Sequence, residues 1–372
     1  MNHSRSMLIW AAALVAAGVG ALVSVFPVRR GGAGPAPRPP DEIRVAWRVP
    51  VSARDDAPCP LPDGWALAEA SGGVTKVTAA GRVLWRAAFS NETFAGAAGA
   101  EGGRVFAASQ SGRVFCLDGA TGAVVWQRET EGRFQHAPQA GRRGAEAVVW
   151  LVSQEDGRLF CLRASDGAVV WTTEATNRCD GDPVVFGDRI AYGNCDGAVY
   201  VFSALDGSAQ GSVAVGDDDQ MAGGVLALGD SRLVTGTRQG NLAVVNPLSR
   251  VCEAKVKVSE SEAFVTPVAL PGGLVAMGSD EGAVTLWRRP EGGGPLSPAG
   301  RFEAGAPVKS LAASGGRLFA LAGGTLFVID SSGLPVQRLA LGDDAGRLAV
   351  NAAGDLACVV DGALVCMKGG VR

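Results

Sequence analysis

The chain has 372 residues, 47% of them apolar, and its 34 basic and 37 acidic side chains leave a formal net charge of −3. This balance gives no electrostatic basis for nucleic-acid binding, so we expect no nucleic-acid partner. The 53 glycines have no collagen period and indicate many tight turns, hence many short strands.

The first 42 residues are predicted to lie outside the fold. The stretch from Met7 to Val28 carries no charge and is long enough, at about 1.5 Å per residue, to cross a bilayer. We therefore predict an N-terminal signal anchor, a transmembrane helix, in residues 1–28; a cleaved signal peptide is the alternative. Residues 29–42 form a Pro/Gly-rich linker. Arginines flank both ends of the apolar stretch, so the positive-inside rule does not decide the orientation.

A glycine followed by an alternating apolar run recurs eight times after residue 42. The eight copies begin at Gly73, Gly112, Gly157, Gly197, Gly240, Gly282, Gly324 and Gly362. Each copy is typical of a β-strand entered through a tight hairpin, with another short apolar run before the turn. Four short strands in each repeat of roughly 40 residues, without helical periodicity, predict an all-β fold: an eight-bladed β-propeller.

The last copy stops at Met367, before an outer strand could form. Residues 43–51 resemble such a strand, because Trp47 stands where other copies have Trp85, Trp126 and Trp171. We therefore predict that residues 43–372 form one propeller and that segment 43–51 completes its last blade, which removes an exposed sheet edge. The regular position of the four tryptophans favours packing between adjacent blades over a ligand cage.

The segments GRVFCLDGATGAVVW and GRLFCLRASDGAVVW, which begin at Gly112 and Gly157, resemble the pyrroloquinoline-quinone-type (PQQ-like) propeller repeat. The resemblance covers residues 43–367, and within the family the chain is most similar to the propeller scaffold of outer-membrane β-barrel assembly. This resemblance implies a non-enzymatic scaffold that binds other envelope proteins. It also implies a monomeric propeller in the periplasm, and together with the apolar stretch from Met7 to Val28 it predicts a single-pass anchor in the bacterial inner membrane.

The alternative function is a PQQ-dependent dehydrogenase or a small-ligand sensor that uses the central funnel. The dehydrogenases of the family carry a vicinal cysteine pair, and no two cysteines are adjacent here. The two histidines, His3 and His136, supply neither a catalytic triad nor a metal site, and we expect His136 to be a solvated loop residue. We therefore predict no catalytic residue, no metal and no cofactor, neither PQQ nor calcium.

Five of the eight cysteines fall into two groups. Cys116, Cys161 and Cys366 occupy a strand position where other copies have valine or leucine, so we expect them to be small buried apolar residues. Cys179 and Cys195 flank a predicted hairpin. Either they form a disulfide, or an offset of one residue places their side chains on opposite faces.

Acidic residues gather on one predicted face of the propeller. The turns between second and third strands share that face with the connections between blades, which contribute Asp180, Asp182, Asp217, Asp218 and Asp219. One interpretation is that turns simply favour aspartate. The other is an acidic rim around the central channel that docks a basic partner segment or a cation. Arginines before the second strands lie on the opposite face: Arg104, Arg189, Arg232 and Arg317.

Overall fold

The computed structural model describes residues 42–52, 57–94, 96, 98–216, 219–229, 232–290 and 294–369. These residues form strands, turns and loops, and no α-helix is found among them. Accordingly, this part of the chain offers no helix that could span a membrane. The predicted anchor and the linker, apart from Glu42, lie outside the described residues.

The described residues form 32 strands in eight four-stranded antiparallel sheets, and this confirms the predicted eight-bladed, all-β propeller. Strand β1 (Arg44–Pro50) belongs to blade 8. Blade 1 consists of β2 (Cys59–Leu61), β3 (Gly64–Glu69), β4 (Gly73–Thr78) and β5 (Val83–Ala88), and blade 2 of β6 (Gly99–Glu101), β7 (Arg104–Ala108), β8 (Arg113–Asp118) and β9 (Val124–Glu129). Blade 3 consists of β10 (Gln139–Arg143), β11 (Glu146–Val152), β12 (Leu159–Arg163) and β13 (Val169–Thr172), and blade 4 of β14 (Val184–Phe186), β15 (Arg189–Gly193), β16 (Ala198–Ser203) and β17 (Ala209–Ala214).

The remaining four blades follow the same order from the innermost to the outermost strand. Blade 5 consists of β18 (Met221–Ala227), β19 (Leu233–Thr237), β20 (Asn241–Asn246) and β21 (Val251–Lys257), and blade 6 of β22 (Val268–Leu270), β23 (Leu274–Gly278), β24 (Ala283–Arg288) and β25 (Ser297–Glu303). Blade 7 consists of β26 (Val308–Ser314), β27 (Arg317–Ala322), β28 (Thr325–Ile329) and β29 (Pro335–Ala340). Blade 8 consists of β30 (Ala349–Val350), β31 (Leu356–Val360) and β32 (Ala363–Lys368), with β1 as its fourth strand.

Burial differs between the middle and outer strands for a simple reason. The middle strands β3, β19 and β31 are buried along their whole length, because neighbouring blades cover both faces of each sheet. The outer strands β1 and β29 alternate between more and less exposed residues, as strands at a solvated rim do. The turn into the third strand uses the backbone freedom of glycine, as at Gly197 with φ of 81°.

The chain ends meet in blade 8. Strand β1 pairs antiparallel with β32, and Trp47 lies opposite Cys366. This is the register of Trp126 opposite Cys116 in blade 2 and of Trp171 opposite Cys161 in blade 3. The inner strand β30 also contacts β2 of blade 1, so the ring of blades is closed.

Apolar side chains fill the spaces between adjacent blades. One cluster joins blades 7 and 8 and includes Phe319, Val328 and Met367, and another joins blade 8 to blade 1. Cys116, Cys161 and Cys366 are fully buried in such spaces, which confirms their predicted apolar role. Burial raises the pKa of the first two thiols to about 12 and that of Cys366 to about 11, so all three stay protonated at neutral pH.

Candidate functional site

One face of the propeller carries the connections between blades, and we call it the connection face. The turn between the second and third strands of a blade is hydrogen-bonded there to the connection that enters the same blade. The Cys195 N–H donates to the Arg178 carbonyl at 2.9 Å in blade 4, and the Arg238 N–H donates to the Gln220 carbonyl at 2.9 Å in blade 5. The turns and connections therefore share one face, as the strand order predicts.

The central channel opens on this face as a cavity of about 630 Å³, a volume typical of small-molecule sites. All eight blades contribute to its wall through their innermost strands or the residues just before them. Four cationic side chains line it: Arg178, Arg238, Lys309 and Arg347. Three carboxylates line it with them: Asp180, Asp182 and Asp280.

An ion pair crosses the channel between opposite blades. Arg347, which precedes the inner strand of blade 8, donates from Nη1 to Oδ2 of Asp182 in blade 4 at 2.9 Å. The other oxygen of Asp182 lies 3.3 Å from Nδ1 of His136, which enters from blade 3. Nε2 of His136 lies 3.0 Å from the Cys179 carbonyl oxygen. Three blades thus meet at one carboxylate.

His136 is only 7% exposed, so the prediction of a solvated loop histidine is wrong. Burial lowers its pKa, but the hydrogen bonds to Asp182 and to the Cys179 carbonyl outweigh that effect and raise the pKa to about 10. Burial also opposes ionisation of Asp182, yet Arg347 and His136 together hold the pKa of this carboxyl below its usual range. The pair is therefore an imidazolium and a carboxylate at neutral pH.

Asp180 is the second carboxylate of the wall with several donors. Its Oδ1 accepts from Nε of Arg178 at 2.7 Å and from Nε2 of Gln154 at 3.0 Å. Its Oδ2 accepts from Nη2 of Arg238 at 3.3 Å and from Sγ of Cys195 at 3.4 Å. These contacts link blade 3, blade 4 and blade 5 on the connection face.

The three described members of the predicted aspartate set lie in two different environments. Asp180 and Asp182 line the cavity, whereas Asp219 is 2% exposed and faces the protein. Asp219 accepts from Nδ2 of Asn241 at 2.7 Å and pairs with Nζ of Lys255 at 2.8 Å, so it holds blade 5 together instead of facing a partner. Asp217 and Asp218 lie outside the described residues. For Asp219, the structure thus favours the interpretation of aspartate as a turn residue.

Cys179 and Cys195 are both free thiols in the structure. The Cys195 N–H pairs with the carbonyl of Arg178, one residue away from Cys179. Both cysteines lie outside strands β14 and β15, and their thiols contact different groups. The Cys179 thiol is buried against the Gly181 carbonyl at 3.2 Å, while Cys195 contacts Asp180.

The arginines predicted on the opposite face are held by neighbouring side chains. Nη1 of Arg104 lies 2.9 Å from Asp118, and Nε of Arg232 lies 3.0 Å from Glu253. Arg189 donates from Nε to Gln210 at 2.7 Å. These side chains tie the second strand of a blade to residues of the same blade, so they do not form an open basic surface.

The four tryptophans of the outer strands each pack on the next blade. Trp47, Trp85 and Trp126 donate from Nε1 to the carbonyls of Ala79, Gly119 and Ala164, at 3.1, 3.1 and 2.9 Å. Their rings and that of Trp171 cover glycines in the following blade: Gly81, Gly122, Gly167 and Gly207. This geometry places the rings between blades, away from the channel.

The described carboxylates of the cavity wall are poorly placed to hold the cation that accompanies a quinone cofactor. Within the described ranges, no group of three histidine, cysteine or acidic side chains could hold a metal ion. Asp180 and Asp182 already accept hydrogen bonds from arginine or histidine, which would compete with a cation for their oxygens. No two of the eight cysteines are adjacent in the sequence.

Three solved structures share this fold over most of their length. BamB from Moraxella catarrhalis is 19% identical, with a TM-score of 0.72, over 88% of this chain and 98% of that one. Sqt1 from Saccharomyces cerevisiae is 12% identical, with a TM-score of 0.72, over 88% and 97%. A europium-containing methanol dehydrogenase is 12% identical, with a TM-score of 0.67, over 86% and 84%. At these identities the likeness concerns the fold alone.

A search of curated proteins found no match. A family model does match the chain, over residues 70–145 and 139–262, which together cover more than half of it. Its description is outer membrane protein assembly factor BamB. Both matched ranges lie in the closed ring of blades described above. The chain therefore belongs to the PQQ-like propeller family described as outer membrane protein assembly factor BamB.

Proposed function

We propose that the protein is a non-enzymatic scaffold of the bacterial cell envelope that offers its connection face to other envelope proteins. The observation that carries the proposal is the closed ring of eight blades in a chain that belongs to the BamB family. A closed ring is stiff without help from another chain, so a partner meets a surface that is already ordered. The work of such a scaffold needs neither a catalytic residue nor a cofactor.

The connection face carries the groups that protein partners use most. Phe264 is 37% exposed at the channel mouth, and the guanidinium of Arg238 lies 5.5 Å from the centre of its ring. Aromatic and arginine side chains are enriched at the energetic centres of interfaces. Glu155 and Asp280 are exposed charges in turns of the same face and would supply the polar rim.

The location that we propose is the periplasm, with residues Met7 to Val28 anchored in the inner membrane. Residues 29–42 would then be the tether, and at about 3.1 Å per residue a Pro-rich extended segment of this length reaches roughly 40 Å. We propose that the partners take part in outer-membrane protein assembly, as the family description suggests. The propeller would act as a monomer at that distance from the bilayer.

Site-specific photo-crosslinking tests this function in the full-length protein in its native membrane. A photoreactive residue replaces Phe264 on the connection face or, as the control, Leu248, which is 64% exposed in a turn on the opposite face. We expect adducts with envelope proteins from position 264 and few from position 248. Equal adducts from both positions, or adducts with cytoplasmic proteins only, would contradict the proposal.

The second candidate is a quinone-dependent dehydrogenase or small-ligand sensor. The cavity and the fold shared with the methanol dehydrogenase favour it. Against it, the described part of the wall has no group of histidine, cysteine or acidic side chains that could hold a metal ion. Adding PQQ with calcium or a lanthanide ion and measuring dye-linked alcohol oxidation tests it. We expect neither a bound chromophore nor oxidation, and both together would replace the scaffold proposal.

A further inference from the structure

We propose that the channel cavity binds a small anion through carboxylate or phosphate groups, with Lys309 and Arg347 as its main contacts. This inference does not depend on the scaffold function. The acidic rim considered from the sequence would bind a basic segment or a cation, whereas this site would bind an anion. The reason is that the wall's internal contacts use up its carboxylate acceptors and leave some of its donors open.

The carboxylates of the wall are largely satisfied by the protein itself. Asp180 accepts from Arg178, Gln154, Arg238 and Cys195, as described above. Asp182 accepts from Arg347 and His136. A cation that entered the cavity would have to displace arginine donors from both, which makes cation binding unfavourable there.

The donors of the wall are in excess. Lys309 is exposed and has no ion pair among the residues that the structure describes. Arg347 is also exposed and uses one nitrogen on Asp182, so most of its five N–H donors remain open. Nε of Arg238 is buried without an acceptor in the described part of the chain. An anion would satisfy donors of this kind.

Lys309 and Arg347 come from adjacent blades and lie side by side along the wall. The N–H of Leu348 donates to Oγ of Ser310 at 3.0 Å, so the residue after Arg347 is bonded to the residue after Lys309. The two cations can therefore reach the same ligand group. Such two-point contact with carboxylate or phosphate is stronger and more selective than contact with one cation.

Asp280 is the opposing charge. The N–H of Val308 donates to the Ser279 carbonyl at 3.1 Å, which brings the segment with Asp280 next to Lys309. Asp280 is exposed, lines the cavity and has no ion pair among the described residues. Its carboxylate should repel an anion held by Lys309. The site thus contains two cations that favour the ligand and a neighbouring carboxylate that disfavours it.

Titration calorimetry of the full-length protein tests the site, with citrate and inorganic phosphate as separate probes. We expect saturable binding of at least one probe, weakened by 0.5 M NaCl because salt screens the exposed charges. Lys309→Ala should weaken binding about tenfold, the loss expected for one charged hydrogen bond. Lys257→Ala is the matched control, since Lys257 is an exposed lysine at the end of an outer strand and away from the cavity.

Asp280→Asn should have the opposite effect to Lys309→Ala: it removes the repelling carboxylate and should tighten binding of the probe severalfold. Lys309 and Asp280 are both exposed, so the thermal unfolding midpoints of the two variants should equal that of the unchanged protein. If Lys309→Ala folds poorly, Lys309→Gln replaces it. The stronger probe tells whether carboxylate or phosphate is preferred. Absence of saturable binding, an equal loss in Lys257→Ala, or calcium binding that Asp280→Asn abolishes would overturn the proposal.

Discussion

At the scale of single residues, the unusual group is the buried imidazolium of His136. Burial alone would keep it neutral, yet Asp182 and the Cys179 carbonyl raise its pKa to about 10. Arg347 reaches the same carboxylate from across the channel. A carboxylate shared between two cations is well compensated, whereas the imidazolium of His136 without it would be a buried charge without an acidic partner.

This network predicts a pH-dependent stability. The pKa of His136 is higher in the fold than the value near 6.5 of an unfolded chain, so its contribution is fully present below about pH 6.5. The contribution declines as the pH rises and is lost near pH 10. We expect His136→Gln to lower the free energy of unfolding by about 3 kcal/mol at pH 6 and by much less at pH 10, measured by urea unfolding at both values.

Gln135→Ala is the control for that experiment, because Gln135 is the exposed neighbour of His136 on the same segment. Its effect on the free energy of unfolding should be small and the same at both pH values. A His136→Gln loss that does not depend on pH would mean that the imidazole is neutral in the fold.

The sequence could not predict this histidine's role. His136 is a lone histidine in a connection, and its partner Asp182 lies 46 residues away. Arg347 is a further 165 residues along the chain from Asp182. The contact depends on which blades face each other across the ring, and local sequence patterns do not contain that information. The burial of Asp219 was not predictable for the same reason, since its carboxylate pairs with Lys255 of the outer strand.

At the scale of strands and turns, tryptophan and glycine act as a pair across neighbouring blades. The Trp126 ring of blade 2 covers Gly167 in the turn before β13 of blade 3. The positions of these residues were predictable, since each tryptophan recurs at one point of the repeat. The partner glycines were predicted only as turn residues, because a sequence shows that a turn exists and not which ring lies on it.

Gly167→Ala tests the pairing. An added β-carbon at Gly167 would lie 2.6 Å from the Trp126 ring, and the residue also has a positive φ of 69°. Gly144 has a similar φ of 59° but open space around it, so Gly144→Ala measures the backbone strain alone. We expect Gly144→Ala to cost about 1 kcal/mol and Gly167→Ala about 1 to 3 kcal/mol more, by urea unfolding. Equal costs would show that the ring moves aside freely.

At the scale of the whole molecule, the repeat determined much of what could be predicted. Eight glycine-led copies predicted eight blades, and the missing last strand predicted how the ring closes. Each of these inferences used patterns within about 40 residues. The charges of the channel were not predictable in this way, because all eight blades converge there and the pairing of Arg347 with Asp182 depends on the closed ring.

Closure should therefore be a property of the complete ring, and deletion tests it. Strand β1 covers the edge of β32 and adds the buried residue Val49 to the core, and Ile43, just before the strand, is buried as well. We expect residues 43–372 to unfold in one transition, and residues 52–372 to melt at a markedly lower temperature and to aggregate, because the edge of β32 would be unpaired. Circular dichroism and size-exclusion chromatography measure both effects.

Val49→Asp in the protein of residues 43–372 is a milder version of the same test. It buries a charge between blade 8 and blade 1 without removing strand β1. It should cost about 3 kcal/mol or more, whereas Arg44→Ser on the exposed side of β1 should cost less than 1 kcal/mol. If residues 52–372 melt at the same temperature as residues 43–372, strand β1 is an appendage and the remaining blades hold the ring closed by themselves. A lower melting temperature in both disruptive variants, with Arg44→Ser unchanged, would mean that the two ends of the chain stabilise all eight blades together.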